Sequence, residues 1–508
     1  MTRHQKPLRR WGIAGLLIGA GLLGGCSDGS TDRLIVTGQS PEAGARLVPV
    51  DSPVRVTFSN PIDPATLAQE DITLECPEAV AFVTERTFEQ DNRTVVLHPA
   101  TALPDNETCA VRVAAGLTDA ANRPLAAAVH WTFATTAHPD TLALGQQIFR
   151  YDTFGDEQQW TDTLRLHEVI QAAVDPLTAL AVGLKVDVEA LPDAVIDGIA
   201  EGTVDLTSPA TTLALLQLDA VIGLRGTVDQ VDGTATLTRV GITCALCHST
   251  VDDSLAPGIG RRLDGWPNRD LDPGAIIALS PALTEAQQDI YNSWGPGMYD
   301  PRFNQDGISS PHVITPAYGL DGLEKITSTG DGDEIAYWNR YVGVTQMGGQ
   351  GTFYEPRTGV RVTNGTEDLI TDKLPALQAY QLSLRAPAPP EGSFDPEAAV
   401  RGEALFNGQA QCASCHSGPE FTDANTRLHA PSEVVSEPEP NGAPGYASRT
   451  ATKMYRTAPL KGLWQHPPYF HNGTAATLAD VVARYNERKD LALSARQQQD
   501  LVEYLKSL

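Results

Sequence analysis

"GITCALCHST" (residues 241–250) sets Cys244 and Cys247 three positions apart, with His248 directly after them. Two thiols at that spacing serve a disulfide oxidoreductase or a zinc site as readily as a covalently held haem, and the adjoining histidine tilts the choice. In covalent haem attachment the thiols form thioethers with the two vinyl groups, and the next side chain falls under the iron, where an imidazole can bind it. The pentapeptide recurs as "CASCH" at Cys412, Cys415 and His416. From the chain's own Cys and His frequencies, one copy arises by chance in about two sequences per thousand of this length. Two copies therefore point to two c-type haems, with His248 and His416 as their proximal iron ligands.

The 508 residues leave room for roughly three domains of ~150 residues. A hydrophobic share of 41% suits soluble, globular material, and a formal charge of -26 argues against nucleic-acid binding. The main basic cluster, "MTRHQKPLRR", occupies residues 1–10 and precedes the apolar run "WGIAGLLIGAGLLGG" and Cys26, which together read as an export signal. The run is short for a transmembrane helix. Leu23, Gly24, Gly25 and Cys26 resemble the bacterial lipobox. That resemblance implies a signal peptide over 1–25, lipidation of Cys26, a linker over 26–33 and, from Ser27, the outer membrane; soluble secretion is the alternative. Of seven cysteines, Cys26 and the two motifs leave Cys76 and Cys109, which in an exported protein are most simply a disulfide.

Residues 34–137 carry short alternating stretches ("PVRVTFS", "DITLEC", "RTVVLHP", "CAVRVAAG", "AVHWTFATT") between Pro, Asn, Asp and Gly turns, which indicates a β-sandwich. The string "SPEAGARLVPVDSPVRVTFSNPIDPATL" is similar to bacterial Ig-like modules of the surface-layer type, which space, present or dock. His98, His130 and His138 are scattered here and suggest no chemistry.

From about residue 140 the pattern turns helical and loop-rich. "LGQQIFRYD" (144–152) echoes "RGEALFNGQ" (401–409), and both resemble the first helix of a cytochrome c domain, whose Phe packs near the haem. In the second copy CxxCH begins six residues after Phe406; in the first, Cys244 comes 95 residues after Phe149, so a large insertion is implied. "RAPAPPEGSFDP" (385–396) suits an exposed linker. The expected fold is multidomain: an all-β Ig-like sandwich over 34–137, then two mainly α cytochrome c-type domains over 138–395 and 396–508. Thr477 with Asp480, and Ser494 with Gln497, open the last two helices as capping boxes.

"YRTAPLKGLWQHPPYFHNGTAATLADVVARYN" resembles the closing segment of bacterial di-haem cytochrome c peroxidases and of the related enzymes that mature methylamine dehydrogenase. The resemblance implies a sixth iron ligand fourteen residues beyond the turn histidine, Met in the peroxidases and Tyr in the maturation enzymes; here the position holds Tyr485. A phenolate is a hard oxygen donor that favours ferric iron and lowers the potential relative to Met. His471, in the turn itself, would give a bis-histidine haem, and Met454 lies 38 residues after His416, compatible with the Met loop of a small cytochrome c. His466, before two prolines, reads as structural. For the first haem, "QIFRYDTFGDEQQWTDTLRLHEVI" and "VGITCALCHSTVDD" resemble di-haem cytochromes that include bacterial rubber oxygenases. His167, Met347 and His312 are its candidate sixth ligands; with none of them bound, that haem is five-coordinate and reactive.

"YDPRFNQDG" (299–307) and "GDGDE" (330–334) concentrate oxygen donors, and the peroxidase resemblance implies a calcium ion between the haem domains; neither stretch fits an EF-hand loop, and solvated turns are the plainer reading. Trp266, Trp338 and Trp464 either relay electrons between the haems or simply pack. Two functions follow as expectations. One is an envelope oxidoreductase of the peroxidase-like group, lipid-anchored, with a periplasmic electron donor or acceptor. The other is a non-enzymatic electron carrier with two six-coordinate haems.

Overall fold

The computed structural model describes residues 33–508 apart from 77–79, 82–83, 333, 440–441 and 443. The signal peptide read in 1–25, the lipidation of Cys26 and most of the 26–33 linker lie outside the described residues. The chain divides into two compact units, the larger of which takes in Phe133–Leu508.

Alternation in the sandwich region becomes strands with one buried face, as in Val54–Phe58, where Val54, Val56 and Phe58 are buried and Arg55 and Thr57 are not. One antiparallel sheet joins β1 (Val36–Ser40), β2 (Val54–Phe58), β5 (Thr84–Glu89) and β6 (Thr94–Pro99) in the order β1-β2-β6-β5. The other joins β3 (Ile72–Cys76), β4 (Val80–Ala81), β7 (Thr108–Val113) and β8 (Val129–Ala134) in the order β4-β3-β7-β8. Ile72 pairs with Val113 and Leu74 with Val111. Cys76 and Cys109 are disulfide-bonded.

Beyond the sandwich, the expectation of mainly helical domains is corrected: the region is mixed, with helices, long loops and two-stranded ribbons. Leu224–Val231 pairs antiparallel with Thr234–Ile242, and Gly351–Glu355 with Val360–Asn364. The first ribbon has a local cause. "VDQVDGTATLT" alternates β-branched and polar residues around Asp232-Gly233, both at positive φ (51° and 79°), which suits a tight hairpin turn and defeats a helix. Its second strand runs directly into the first CxxCH motif.

The internal echo becomes a repeated helix pair. Helix Pro139–Tyr151 packs against Leu374–Ser383, and helix Pro396–Asn407 against Ala495–Lys506. At each crossing a glycine lets the backbones meet: a Cβ on Gly145 would overlap the Ala376 carbonyl and the Tyr380 side chain, and one on Gly402 the Asp500 carbonyl and the Tyr504 side chain. Four residues on, Phe149 and Phe406 are fully buried, with ring centroids 5.6 Å from Tyr380 and 5.2 Å from Tyr504. Each pair frames one CxxCH motif. The long insertion before Cys244 forms a separate core around Val186, Leu191, Leu213, Leu216 and Val221, completed by Ile259 from beyond the motif.

Candidate functional site

Strand Thr234–Ile242 delivers Cys244 to a single helical turn, Ala245–His248. Thr243 anchors the approach, its hydroxyl donating to the Arg150 carbonyl (3.1 Å) and its N–H to that of Gly223 (2.9 Å). His248 Nδ1 lies 3.0 Å from the Thr315 carbonyl, so this nitrogen carries the proton and Nε2 keeps its lone pair, the tautomer an iron ligand needs. Desolvation pushes the imidazole down to about 4 and keeps it neutral. The Cys244 and Cys247 thiols are free, and desolvation pushes both up to about 12. A disulfide oxidoreductase works through a thiol shifted in the opposite direction.

A mostly apolar cavity of about 260 Å³ opens on Cys244, Cys247 and His248. Helix Leu166–Ala173 turns Leu166, Val169 and Ile170 to it, and His167, one step off that face, does not line it. His312 and Met347 do line it. Met347 is held through its carbonyl, which accepts from Trp160 Nε1 at 2.9 Å. Four polar atoms of lining residues are buried without a hydrogen-bond partner: Thr212 Oγ1, His312 Nε2, Gln346 Nε2 and Arg456 Nε. Free thiols, a neutral imidazole with its Nε2 lone pair available, and an apolar cavity with unspent polar atoms fit a covalently attached haem.

The second motif follows Gln411, whose left-handed backbone (φ 55°) turns the chain into the Cys412–Ser414 turn. His416 repeats the arrangement of His248, with Nδ1 3.0 Å from the Phe421 carbonyl and its pKa lowered by desolvation. Desolvation raises the Cys412 thiol to about 11. Of the three expected sixth ligands, Tyr485 is brought to this motif. It rides on helix Leu478–Arg488, which Thr477 and Asp480 cap as expected, and its phenol is raised to about 12 by desolvation and then by the proximity of Cys412 and Cys415. His471 is engaged elsewhere: Nε2 is 2.7 Å from Glu439 Oε1, Nδ1 is 3.2 Å from Ser436 Oγ, and the ring stacks on Tyr455 at 4.7 Å. Met454 precedes the Tyr455 that bridges to His429, and its backbone N–H donates to the Thr452 hydroxyl. His466 is enclosed, pushed down to about 3 by desolvation, and near Tyr469 (5.9 Å).

Sequence reading missed Asp423 and His429, whose carboxylate and imidazole atoms lie with the Cys415 sulfur within 4.8 Å of one another. His429 Nε2 is 3.0 Å from Asp423, and it reaches this position through backbone pairing with Tyr455, which no local motif announces. Trp266 and Trp464 meet edge to face at 5.7 Å. Trp266 lies between Gly265, whose N–H donates to the His248 carbonyl, and Asn268, whose N–H donates to that of Cys247; Trp464 follows Leu463, in the core beside Cys412. Trp338 lines the first cavity and packs on Tyr341 at 4.9 Å.

The oxygen-rich stretch 299–307 spends its carboxylates on arginine. Asp300 and Asp306 pair with Arg449 at 3.0 and 2.8 Å, and Asp331 of the second stretch pairs with Arg302 at 2.6 Å. Guanidinium groups thus supply the positive charge beside these carboxylates; Asp333 of the second stretch lies outside the described residues.

Two family models match the chain: a bacterial Ig-like domain over residues 30–135, and a RoxA-like, cytochrome c-like domain over 454–491. The cytochrome-c peroxidase IdrP2 of Pseudomonas sp. strain SCT is 30% identical over 305 residues, covering 53% of this chain and 76% of that protein. The methylamine utilization protein MauG of Methylorubrum extorquens is 32% identical over 127 residues, 22% of this chain and 34% of its own length. The cytochrome-c peroxidase IdrP1 of Denitromonas iodatirespirans is 30% identical over 149 residues, 22% of this chain and 40% of its own. The chain thus spans about three quarters of the first relative and well under half of the other two.

Proposed function

Because the chain belongs to the cytochrome c peroxidase-like family of haem redox proteins, we propose that it is a di-haem oxidoreductase of the bacterial envelope whose reactive centre is the haem at Cys244, Cys247 and His248. Cys412, Cys415 and His416 would hold a second haem, which would supply the electron-transfer centre. The observation that carries this reading is the inequality of the two sites: the first opens on an apolar cavity with unpartnered polar atoms, whereas the second has the Tyr485 phenol brought against it.

A bound haem supplies an iron that exchanges electrons and, with its sixth position open, binds a small oxidant. The chain's residues do the rest. Thr315 fixes the His248 tautomer, the Leu166, Val169 and Ile170 wall keeps the pocket dry, and the His312 and Gln346 side chains keep polar atoms available to an incoming oxidant. Tyr485 as sixth ligand would poise the second haem at low potential. The Trp266–Trp464 contact offers the short route between the motifs.

Peroxide, the oxidant implied by the peroxidase relatives, is the substrate proposed. The export signal and Cys26 support a lipid anchor at the outer membrane, the net charge of -26 suits a cationic periplasmic donor or acceptor, and the Ig-like module acts as spacer or dock. Among the described residues no helix is long and apolar enough to cross a membrane. Calcium is not assigned to 299–307, since its carboxylates meet Arg449. The electron paramagnetic resonance spectrum of the oxidised protein tests the reading. One high-spin and one low-spin ferric signal, with peroxide altering only the former, is the expected result. Two low-spin signals that persist after half-reduction, with no peroxide reaction, would favour the electron carrier.

A further inference from the structure

The most deeply buried arginine side chains of the described residues meet carboxylates. Arg262 meets Asp187 at 2.9 Å, Arg302 meets Asp331 at 2.6 Å, and Arg449 meets Asp300 and Asp306. That pattern is what electrostatics demands, since a guanidinium withdrawn from water needs a counter-charge. Arg456 departs from it. Its NH1 donates to the Lys325 carbonyl at 3.0 Å, its Nε is buried without a partner, and no carboxylate of the described residues pairs with it. Desolvation lowers it to about 10, with no acidic group offsetting the effect. Its backbone N–H donates to the Ser328 carbonyl at 2.8 Å, and the NH1 contact with Lys325 is the hydrogen bond that holds its side chain.

Arg456 lines the cavity that opens on Cys244, Cys247 and His248, although it belongs to the chain beyond the second motif. Arg269 and Arg86 likewise keep a buried Nε without a partner and meet only main-chain carbonyls, Arg269 at Pro468 (3.2 Å) and Arg86 at Ala68, Gln69 and Ile72, but neither is among the cavity's lining residues. A cation kept without an anion, at the wall of an apolar cavity shaped for a large ligand, is complementary to a carboxylate on that ligand. A haem carries two.

We propose that Arg456 is a carboxylate anchor of the first cavity, pairing through its guanidinium with a propionate of the haem attached to Cys244 and Cys247. The proposal rests on the reading of that motif as a haem site. The anchor positions the porphyrin and tunes its iron: a cation beside a propionate favours the ferrous state, so its loss lowers the midpoint potential. It also makes the first site dependent on the second half of the chain.

The full-length, haem-loaded protein provides the test, with Arg456→Met and, as the milder neutral change that keeps polar donors, Arg456→Gln. Mass mapping of the wild-type peptide bearing Cys244 and Cys247 checks the underlying reading first: an unmodified peptide sinks that reading, and the anchor with it. With haem present, both variants should lower the midpoint potential of the first haem and shift its propionate bending bands in the resonance Raman spectrum, leaving the second haem unchanged. Unaltered potential and bands in either variant that retains haem would overturn the anchor. A small free carboxylate is the other source of the same chemistry. If added formate moves the wild-type potential and not that of Arg456→Met, the propionate assignment fails; a wild-type potential indifferent to formate supports it. Raman bands of the wild type insensitive to a propionate hydrogen bond would also overturn it, should neither variant fold.

Discussion

His248 and His416 commit Nδ1 in the same way, each to a main-chain carbonyl 3.0 Å away. The motif marked both imidazoles as candidate iron ligands, but the carbonyls that orient them come from Thr315 and Phe421, one distant in sequence and one near, and no spacing rule announces them. The sixth ligand was legible only as a choice of three. Tyr485 is the one the packing brings to the second motif, so Tyr485→Phe should convert the low-spin ferric signal of that haem to high spin, and Tyr485→Met should raise its midpoint potential. His471→Ala should leave that signal intact, because its imidazole is occupied by Glu439 and Ser436; its loss would return His471 to the iron. Cys412→Ala should halve the pyridine haemochrome yield per chain, and an unchanged yield would mean the second site holds no haem. Arg456 and His429 stayed invisible in the sequence because burial and pairing, which give them meaning, depend on segments far from their own.

At the scale of elements, the echo between 144–152 and 401–409 was readable, but the reason for its glycines was not, since each crossing partner lies near the far end of its half. Gly402→Ala adds a residue that favours helix by about 1 kcal/mol, yet its Cβ would overlap the Asp500 carbonyl. Overpacking of this kind costs about 1–3 kcal/mol, so the variant should lose stability in urea titration. The ribbon over 224–242 was legible from Asp232-Gly233, and the helical expectation for the region obscured it. Asp368 supplies a pH test at the approach to helix Leu374–Ser383. Desolvation pulls its carboxyl up, but the Thr371 hydroxyl and the Thr371 and Ile370 N–H groups outweigh this and hold it at about 2. A depressed pKa gives stability that is complete above the ordinary value of about 4 and is lost as pH falls towards 2. Asp368→Asn should therefore flatten the acid unfolding limb in that window, measured by circular dichroism.

For the whole molecule, composition and turn spacing sufficed to separate the sandwich from the rest, because strand alternation is a local property. The arrangement of the remaining residues was less accessible, since the insertion's separate core is completed from beyond the first motif and the C-terminal segment contributes to the first cavity. The disulfide is open to chemical mapping: digestion without reductant should yield the Cys76 and Cys109 peptides linked, and alkylatable thiols there would contradict it. Arg449 carries a further consequence. By joining 300–306 to the segment after the second motif with a side chain of its own, the protein makes that tie independent of the mineral content of its surroundings. Chelator treatment should leave it undisturbed, so the junction would form as readily in calcium-poor water as in calcium-rich water.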